Sequence, residues 1–386
     1  MSYFLFFTIF FFLYGGMHLY AFFKARAAFS PGFLASLIIC LFMVVMTLAP
    51  FFVRYLERDG LEGFARVLTY VVYTWMGAIL IFFVMGMLAD LFRLLAYVLG
   101  SILKKDFSFI ASAHSMYFFT CLCAALFVVV YSFFEARCIR TEHISIPSKK
   151  IAADVGRVRI AQISDVHLGL IIGEERLKAI IQEVQKAKPD ILVSTGDLLD
   201  AQPDKVEFFI DRINEVFVPH GKFAVTGNHE VYLDHRYKKN WSEILTVKAG
   251  FILLDNQVRD IEGLMTITGI SDEAGRGYRH GDSVREENLC SQIDASKFTV
   301  LLKHRPVPYT GPLCKYDLQL SGHTHKGQIF PFFLITRLFF TYYAGLYELS
   351  NNAHLYVSRG SGTWGPPIRF LAPPEVTIID IVHKAN

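Results

Sequence analysis

The chain has 386 residues, enough for two or three domains. Apolar residues make up 53% of it and aromatics 15%, with 36 Phe, which excludes a chain that is soluble throughout. The net charge is only +3 and no Lys/Arg block is interleaved with aromatics, so nucleic acid is not an expected partner.

The apolar excess is concentrated at the start. Residues 1–140 read as an α-helical membrane domain. Residues 141–386 read as a soluble domain that buries about three-quarters of its surface without needing disulfides. Four apolar runs, 2–23, 32–53, 67–89 and 108–134, are each long enough to span about 30 Å of hydrocarbon. The first has no basic leader and no small-x-small cleavage site, so it is expected to be a span rather than a cleaved signal. Arg54, Arg58 and Arg66 fall on the same side as Arg137, Arg140, Lys149 and Lys150. Lys24, Arg26, Arg93, Lys104 and Lys105 fall on the other. The larger basic group is expected inside, which makes this a multi-pass cell-membrane protein with a cytoplasmic C-terminal domain. Segment 91–105 reads either as an interfacial amphipathic helix or as an extension of the third span. His18 and His114 lie within or near spans with no partner visible in the sequence. Cys40, Cys121, Cys123, Cys138, Cys290 and Cys314 form no CxxC pair and are expected to be free, buried thiols.

The soluble part alternates strand, loop and helix. Strand Val158–Ile163 ends at Ser164-Asp165-Val166-His167, and a helix over Glu174–Lys188 follows. Strand Ile191–Thr195 ends at Gly196-Asp197, before a helix over Lys205–Val216. Strand Lys222–Thr226 ends at Gly227-Asn228-His229-Glu230. Phe298–Leu302 ends at His304, and Leu318–Leu320 just before Gly322-His323-Thr324-His325. Each polar motif therefore falls at the C-terminal end of a strand, where α/β proteins bind ligands. Gly196, Gly227 and Gly322 are expected to supply sharp turns that aim the next side chain. Seven residues (Asp165, His167, Asp197, Asn228, His304, His323 and His325) are candidate metal ligands, and His229 is left over. Asp, Asn and His without Cys suit Mn, Fe or Zn in a reactive site rather than a structural zinc knuckle.

DxH, GD, GNH(E/D), H and GHxH in that order resemble the calcineurin-like metallophosphoesterase superfamily, over about 158–383. The likeness is strongest to membrane-bound bacterial phosphoesterases, a subgroup resembling lipid A-pathway UDP-2,3-diacylglucosamine pyrophosphatases and related phosphodiesterases. It rests on Ser164-Asp165-Val166-His167, on Gly322 through Gln328, and on Ser358-Arg359-Gly360 through Arg369-Phe370 to Pro373-Pro374-Glu375. The resemblance implies a four-layer α/β/β/α sandwich and a metal-dependent phosphoric ester or pyrophosphate hydrolase with two divalent metal ions. It implies Asp165, His167 and His325 on the first ion, Asn228, His304 and His323 on the second, and Asp197 bridging. His229 is implied as a catalytic group near the leaving group, not a ligand. The soluble UDP-diacylglucosamine hydrolases carry Arg at that position and lack the spans.

Four further residues invite roles. Asp200 reads as an orienting carboxylate or a helix cap, and Glu230 as an orienter of His229. Arg305 and Arg359 read as phosphate ligands or surface charges. Stretch 329–347, rich in Phe and Tyr, reads as an acyl-chain groove, a segment dipping into the bilayer, or an aromatic core. A site tethered to spans points to a lipid-linked phosphate substrate in the bilayer. The alternatives are a broad-specificity phosphodiesterase of soluble substrates and a non-catalytic receptor or scaffold.

Overall fold

The structure is a computed structural model describing residues 3–58, 62–200, 207–238, 240–261, 263–272, 287–308, 315–349 and 352–385. The expected helix start at Lys205 and the thiol of Cys314 lie outside the described residues. The chain divides into two compact units. One is Met1–Phe134 with Gly365–Ile368, and the other is Glu135–Trp364 with Arg369–Asn386.

The first unit is helical because its apolar runs leave the backbone no other partner in a lipid setting. Its elements are α1 (Tyr3–Phe10), a π turn (Phe11–Gly15), α2 (Gly16–Phe29), α3 (Phe33–Arg58), α4 (Glu62–Leu103), α5 (Ser108–Ser112) and α6 (His114–Glu135). Among the described residues, three helical stretches are long and apolar enough to cross a membrane: Phe33–Leu56, Gly63–Leu103 and His114–Glu135. The first expected run is helical too, but the π turn divides it into shorter α segments. Segment 91–105 is not a separate interfacial helix, since α4 runs unbroken to Leu103. Both membrane histidines have partners after all. Trp75 Nε1 donates to His18 Nε2 at 2.9 Å, and Arg93 Nη2 lies 3.4 Å from His114 Nδ1.

The second unit holds two six-stranded mixed sheets. The first contains β1 (Arg140–Ser148), β2 (Arg157–Ile163), β3 (Ile191–Ser194), β4 (Lys222–Ala224), β5 (Phe251–Leu253) and β12 (Glu375–His383). Their order is β1-β12-β2-β3-β4-β5, parallel except between β12 and β2. The second contains β6 (Gln257–Ile261), β7 (Met265–Ile270), β8 (Thr299–Lys303), β9 (Leu318–Ser321), β10 (Gly345–Glu348) and β11 (His354–Val357). Their order is β10-β11-β9-β8-β7-β6, with β7, β8, β9 and β11 parallel.

Side chains alternate faces along a strand. On β2, Val158 and Ile160 join Val193, Ile267, Val300 and Leu320 in a core shared by both sheets. Ala161 and Ile163 point the other way, against α7 (Glu174–Ala187) and α8 (Glu207–Asn214). Two further helices, α9 (Asn228–Tyr237) and α10 (Trp241–Lys248), follow β4. Helix α7 buries Leu177, Ile180, Ile181 and Val184, the stripe its spacing predicts. Beyond the second sheet, Leu289 and Cys290 pack on Leu301, Leu355 and Val357. The thiol expectation needs correcting. Cys290 is disulfide-bonded, and of the free cysteines among the described residues only Cys121 is buried; Cys40, Cys123 and Cys138 are exposed. Burying both faces of β2, β3, β8 and β9 leaves only their ends open to chemistry.

Candidate metal centre

The loops after β2, β3, β4, β8 and β9 bring the predicted ligands into one buried cluster. Asp165, His167 and His325 each offer a ligand atom, all within 4.8 Å of one another, and so do Asp197, His304 and His323. His167 Nε2 is 3.1 Å from His325 Nε2, which is 3.4 Å from Asp165 Oδ1. His304 Nε2 is 3.1 Å from Asp197 Oδ2 and 3.2 Å from His323 Nδ1. Asp197 Oδ2 also lies 3.9 Å from His167 Nε2, so this carboxylate stands between the two groups. His229 joins His167 and Asp197 in a third such group, although it was expected apart from the ligands.

Several features show that the residues fit cations. Asn228 is buried, and its Oδ1 has no hydrogen-bond partner among the described residues. A buried amide oxygen without a donor carries a free-energy cost that a cation would relieve. His304 Nδ1 faces the Thr195 carbonyl at 2.8 Å, and donating there leaves the Nε2 lone pair toward Asp197. Burial first, then the charges of His167 and Arg369, holds His325 well below the ordinary histidine range, in the neutral form that ligates.

The backbone is strained where the ligands sit. Asp165, His167, Asp197, His323 and His325 all have positive φ, between 48° and 73°. Each such non-glycine residue costs on the order of 1–3 kcal/mol and persists only when its surroundings enforce it. Of the three motif glycines, only Gly196 needs its left-handed φ of 94°. Gly227 and Gly322 are there for space, not angle. A Cβ on Gly227 would overlap Asp197, and one on Gly322 would overlap Ser164 and Asp165.

The surrounding residues resolve the open roles. Asp200 Oδ1 lies 2.9 Å from His229 Nδ1, so Asp200 orients that ring. Burial disfavours the His229 cation, but Asp200, Asp197 and Glu230 outweigh it and lift its pKa to about 9. Glu230 does not reach the His229 ring. It accepts from the backbone N–H groups of Asp197, Leu199 and Gly227 at 2.8, 2.9 and 2.7 Å, clamping the β3 and β4 loops together. Arg305 is held by Asp272 at 2.6 Å, and Arg359 by Glu375 at 2.6 Å and by Glu142. Each guanidinium is thus paired with a carboxylate rather than standing as a lone surface charge.

In the sequence Arg369 stands out only as part of the C-terminal match. It is fully buried, donates to the carbonyls of Gly362, Arg359 and Ala372, and lies 3.0 Å from His325 Nδ1. Ser361 N and Gly362 N donate to Ser164 O and Asp165 O at 2.7 and 3.1 Å, binding this segment to the first ligand loop.

Strand ends that gather Asp and His in buried clusters give an α/β protein with candidate ligands for metal ions. Residues 158–327 match the calcineurin-like phosphoesterase family. An uncharacterized metallophosphoesterase of Aquifex aeolicus is 35% identical over 68% of this chain and 99% of its own length. One from Campylobacter jejuni is 36% identical over 59% of this chain, which spans 60% of that relative. A Danio rerio transmembrane protein with metallophosphoesterase domain is 29% identical over 61% of this chain and 56% of its own. The chain belongs to the calcineurin-like phosphoesterase family, whose members use divalent metals and whose reaction class is phosphoester hydrolysis.

Proposed function

We propose that this is a membrane-anchored hydrolase of a phosphodiester or pyrophosphate bond in a lipid-linked substrate such as UDP-2,3-diacylglucosamine. Asp165, His167 and His325 would hold one divalent ion, and Asn228, His304 and His323 a second, with Asp197 between them. Ions so held would supply Lewis acidity for activating water and neutralising phosphoryl charge. The chain's own part is positioning. Glu230 fixes the spacing of the Asp197 and Asn228 loops, and Asp200 keeps the His229 ring oriented to give a proton to the departing oxygen.

One observation carries the lipid reading. Helix α11 (Phe333–Phe339), a few residues past His325, has no buried residue. Leu338 is 82% and Phe339 77% exposed, so this is not an aromatic core. Beside it the Phe340 ring lies 5.2 Å from the His323 ring, and the half-exposed Trp364 lies 5.6 Å from His229. An apolar rim on a polar centre suits a substrate with an anionic head and acyl chains.

The test compares turnover of a lipid pyrophosphate and a small chromogenic diester by the full chain, before and after chelation. Chelation is expected to abolish both activities, Mn²⁺ to restore them, and the lipid to be the better substrate. Full activity in protein shown by elemental analysis to be metal-free would sink the metal assignment. Faster turnover of the soluble diester would favour the broad-specificity alternative, and no turnover of either the scaffold.

For the anchor, we propose four spans, counting Tyr3–Phe29 as the first, with the catalytic unit in the cytoplasm by the Lys/Arg balance. The disulfide at Cys290 is the specific observation for the opposite face, since such bonds persist in oxidising compartments. A reporter fused after Asn386 is expected to report cytoplasm. An external signal would give the disulfide precedence and remove cytoplasmic UDP-lipids from the substrate class.

A further inference from the structure

The membrane unit contains a charged cavity that shares no residue with the metal centre. It has a volume of about 250 Å³ and is walled by α2, α4 and α6. Phe23, Phe82 and Phe118 supply apolar sides, and Lys24, Asp90 and Arg93 supply charge. Ionisable side chains between membrane helices are costly, and they mark function more often than packing.

The polar groups form one connected set. Lys24 pairs with Asp90, and Tyr20 donates to Asp90 Oδ2 at 2.7 Å. Arg93 Nη1 lies 3.7 Å from Asp90 Oδ1, and its guanidinium stands 5.3 Å from the Tyr117 ring centroid. Gly86 makes the set possible, because a Cβ there would come within 2.5 Å of Tyr20 Oη. The walls thus carry two cations and a single carboxylate. Helix α6 begins at His114 on the same wall, so the positive end of its dipole adds to the cationic potential. Ser115 Oγ donates to Ala28 O at 2.6 Å and fastens the end of α2 to the start of α6.

We infer that this cavity binds the phosphate group of an anionic amphiphile, with Arg93 and Lys24 meeting the oxygens and the phenylalanines meeting the acyl chain. A guanidinium matches two phosphate oxygens at once, and the ring beneath Arg93 holds it in place for that contact. The shared chemistry is phosphate, whether it arrives as a lipid headgroup or as the free ion.

The experiment uses the full chain, delipidated in detergent, with phosphatidic acid, phosphatidylcholine or inorganic phosphate as probe and native mass spectrometry as readout. Phosphatidic acid is expected to be retained about tenfold or more above phosphatidylcholine, one tenfold step being the scale of a single charge-assisted contact. Arg93→Gln should lose that preference. Ala27→Phe should lose it as well, by filling the cavity with the charges intact. The double variant Lys24→Gln with Asp90→Asn keeps Arg93 but removes the Lys24 contact, so the preference should weaken without disappearing. Displacement of phosphatidic acid by millimolar inorganic phosphate identifies the free ion as a competent ligand, and its failure identifies the lipid. Equal retention of the two lipids, or full preference in a folded Ala27→Phe protein, overturns the inference. If Arg93→Gln does not fold, the Ala27→Phe and double variants decide.

Discussion

Asp197→Ala is expected to strip metal from the protein and abolish turnover, whereas His229→Ala is expected to slow turnover while leaving metal content near normal. Asp197 lies within 3.1 Å of His304 Nε2 and 3.9 Å of His167 Nε2, so its loss removes the one carboxylate placed between the two groups of donors. It would also leave His304 and His323 facing each other without the carboxylate that His304 now meets. His229 differs in a way the structure makes concrete. Its backbone N–H, not its ring, donates to Asp197 Oδ1 at 2.9 Å, and alanine keeps that bond. What alanine removes is the ring held by Asp200. A positioned general acid contributes roughly 10²–10⁴-fold, so the rate should fall by about that factor. Elemental analysis of the two purified variants beside their rates separates the roles. Equal metal loss in both would make His229 a ligand, as its grouping with His167 and Asp197 allows.

The second large effect is expected from Leu338→Ser with Phe339→Ser. Both side chains are mostly exposed on α11, so neither supports the core. Phe340 is left intact because its ring packs on His323, and changing it would confuse substrate binding with damage to the metal centre. Burying a large apolar side chain against an acyl chain is worth about 1.5–3 kcal/mol, so losing two should raise KM for a lipid substrate by tens-fold or more. Turnover of a small diester and the thermal midpoint should stay close to wild type. Loss of both activities together with stability would show that α11 is part of the fold. Unchanged lipid KM would place the acyl chains elsewhere.

Much of the centre was legible because its chemistry is local. Each ligand lies within a few residues of a β-strand end, and a short apolar run plus the following polar motif marks that end without knowledge of neighbours. The same locality exposed α7, whose stripe Leu177, Ile180, Ile181 and Val184 is buried as spaced. Where the reading strayed, the cause was a choice among partners distant in the chain. Arg305 pairs with Asp272, and Arg359 with Glu142 and Glu375, partners that no local pattern foretells. Glu230 looked like a support for its neighbour His229, yet it binds the backbone of a loop some thirty residues earlier. His18 found Trp75 57 positions away.

The sequence by itself therefore determined the division into an apolar helical part and an α/β part, the strand ends that carry the polar motifs, and the residue types able to hold metal. Those follow from hydrophobic periodicity and from backbone chemistry within a few residues. Only the tertiary structure decided that Asp200 holds His229, that Arg369 lies against His325, that Gly227 and Gly322 make room rather than turns, and that α11 keeps its apolar face exposed. Each of these depends on which groups meet when two sheets close on a shared core, and an ion pair or a close approach between distant segments leaves no periodic trace in the chain.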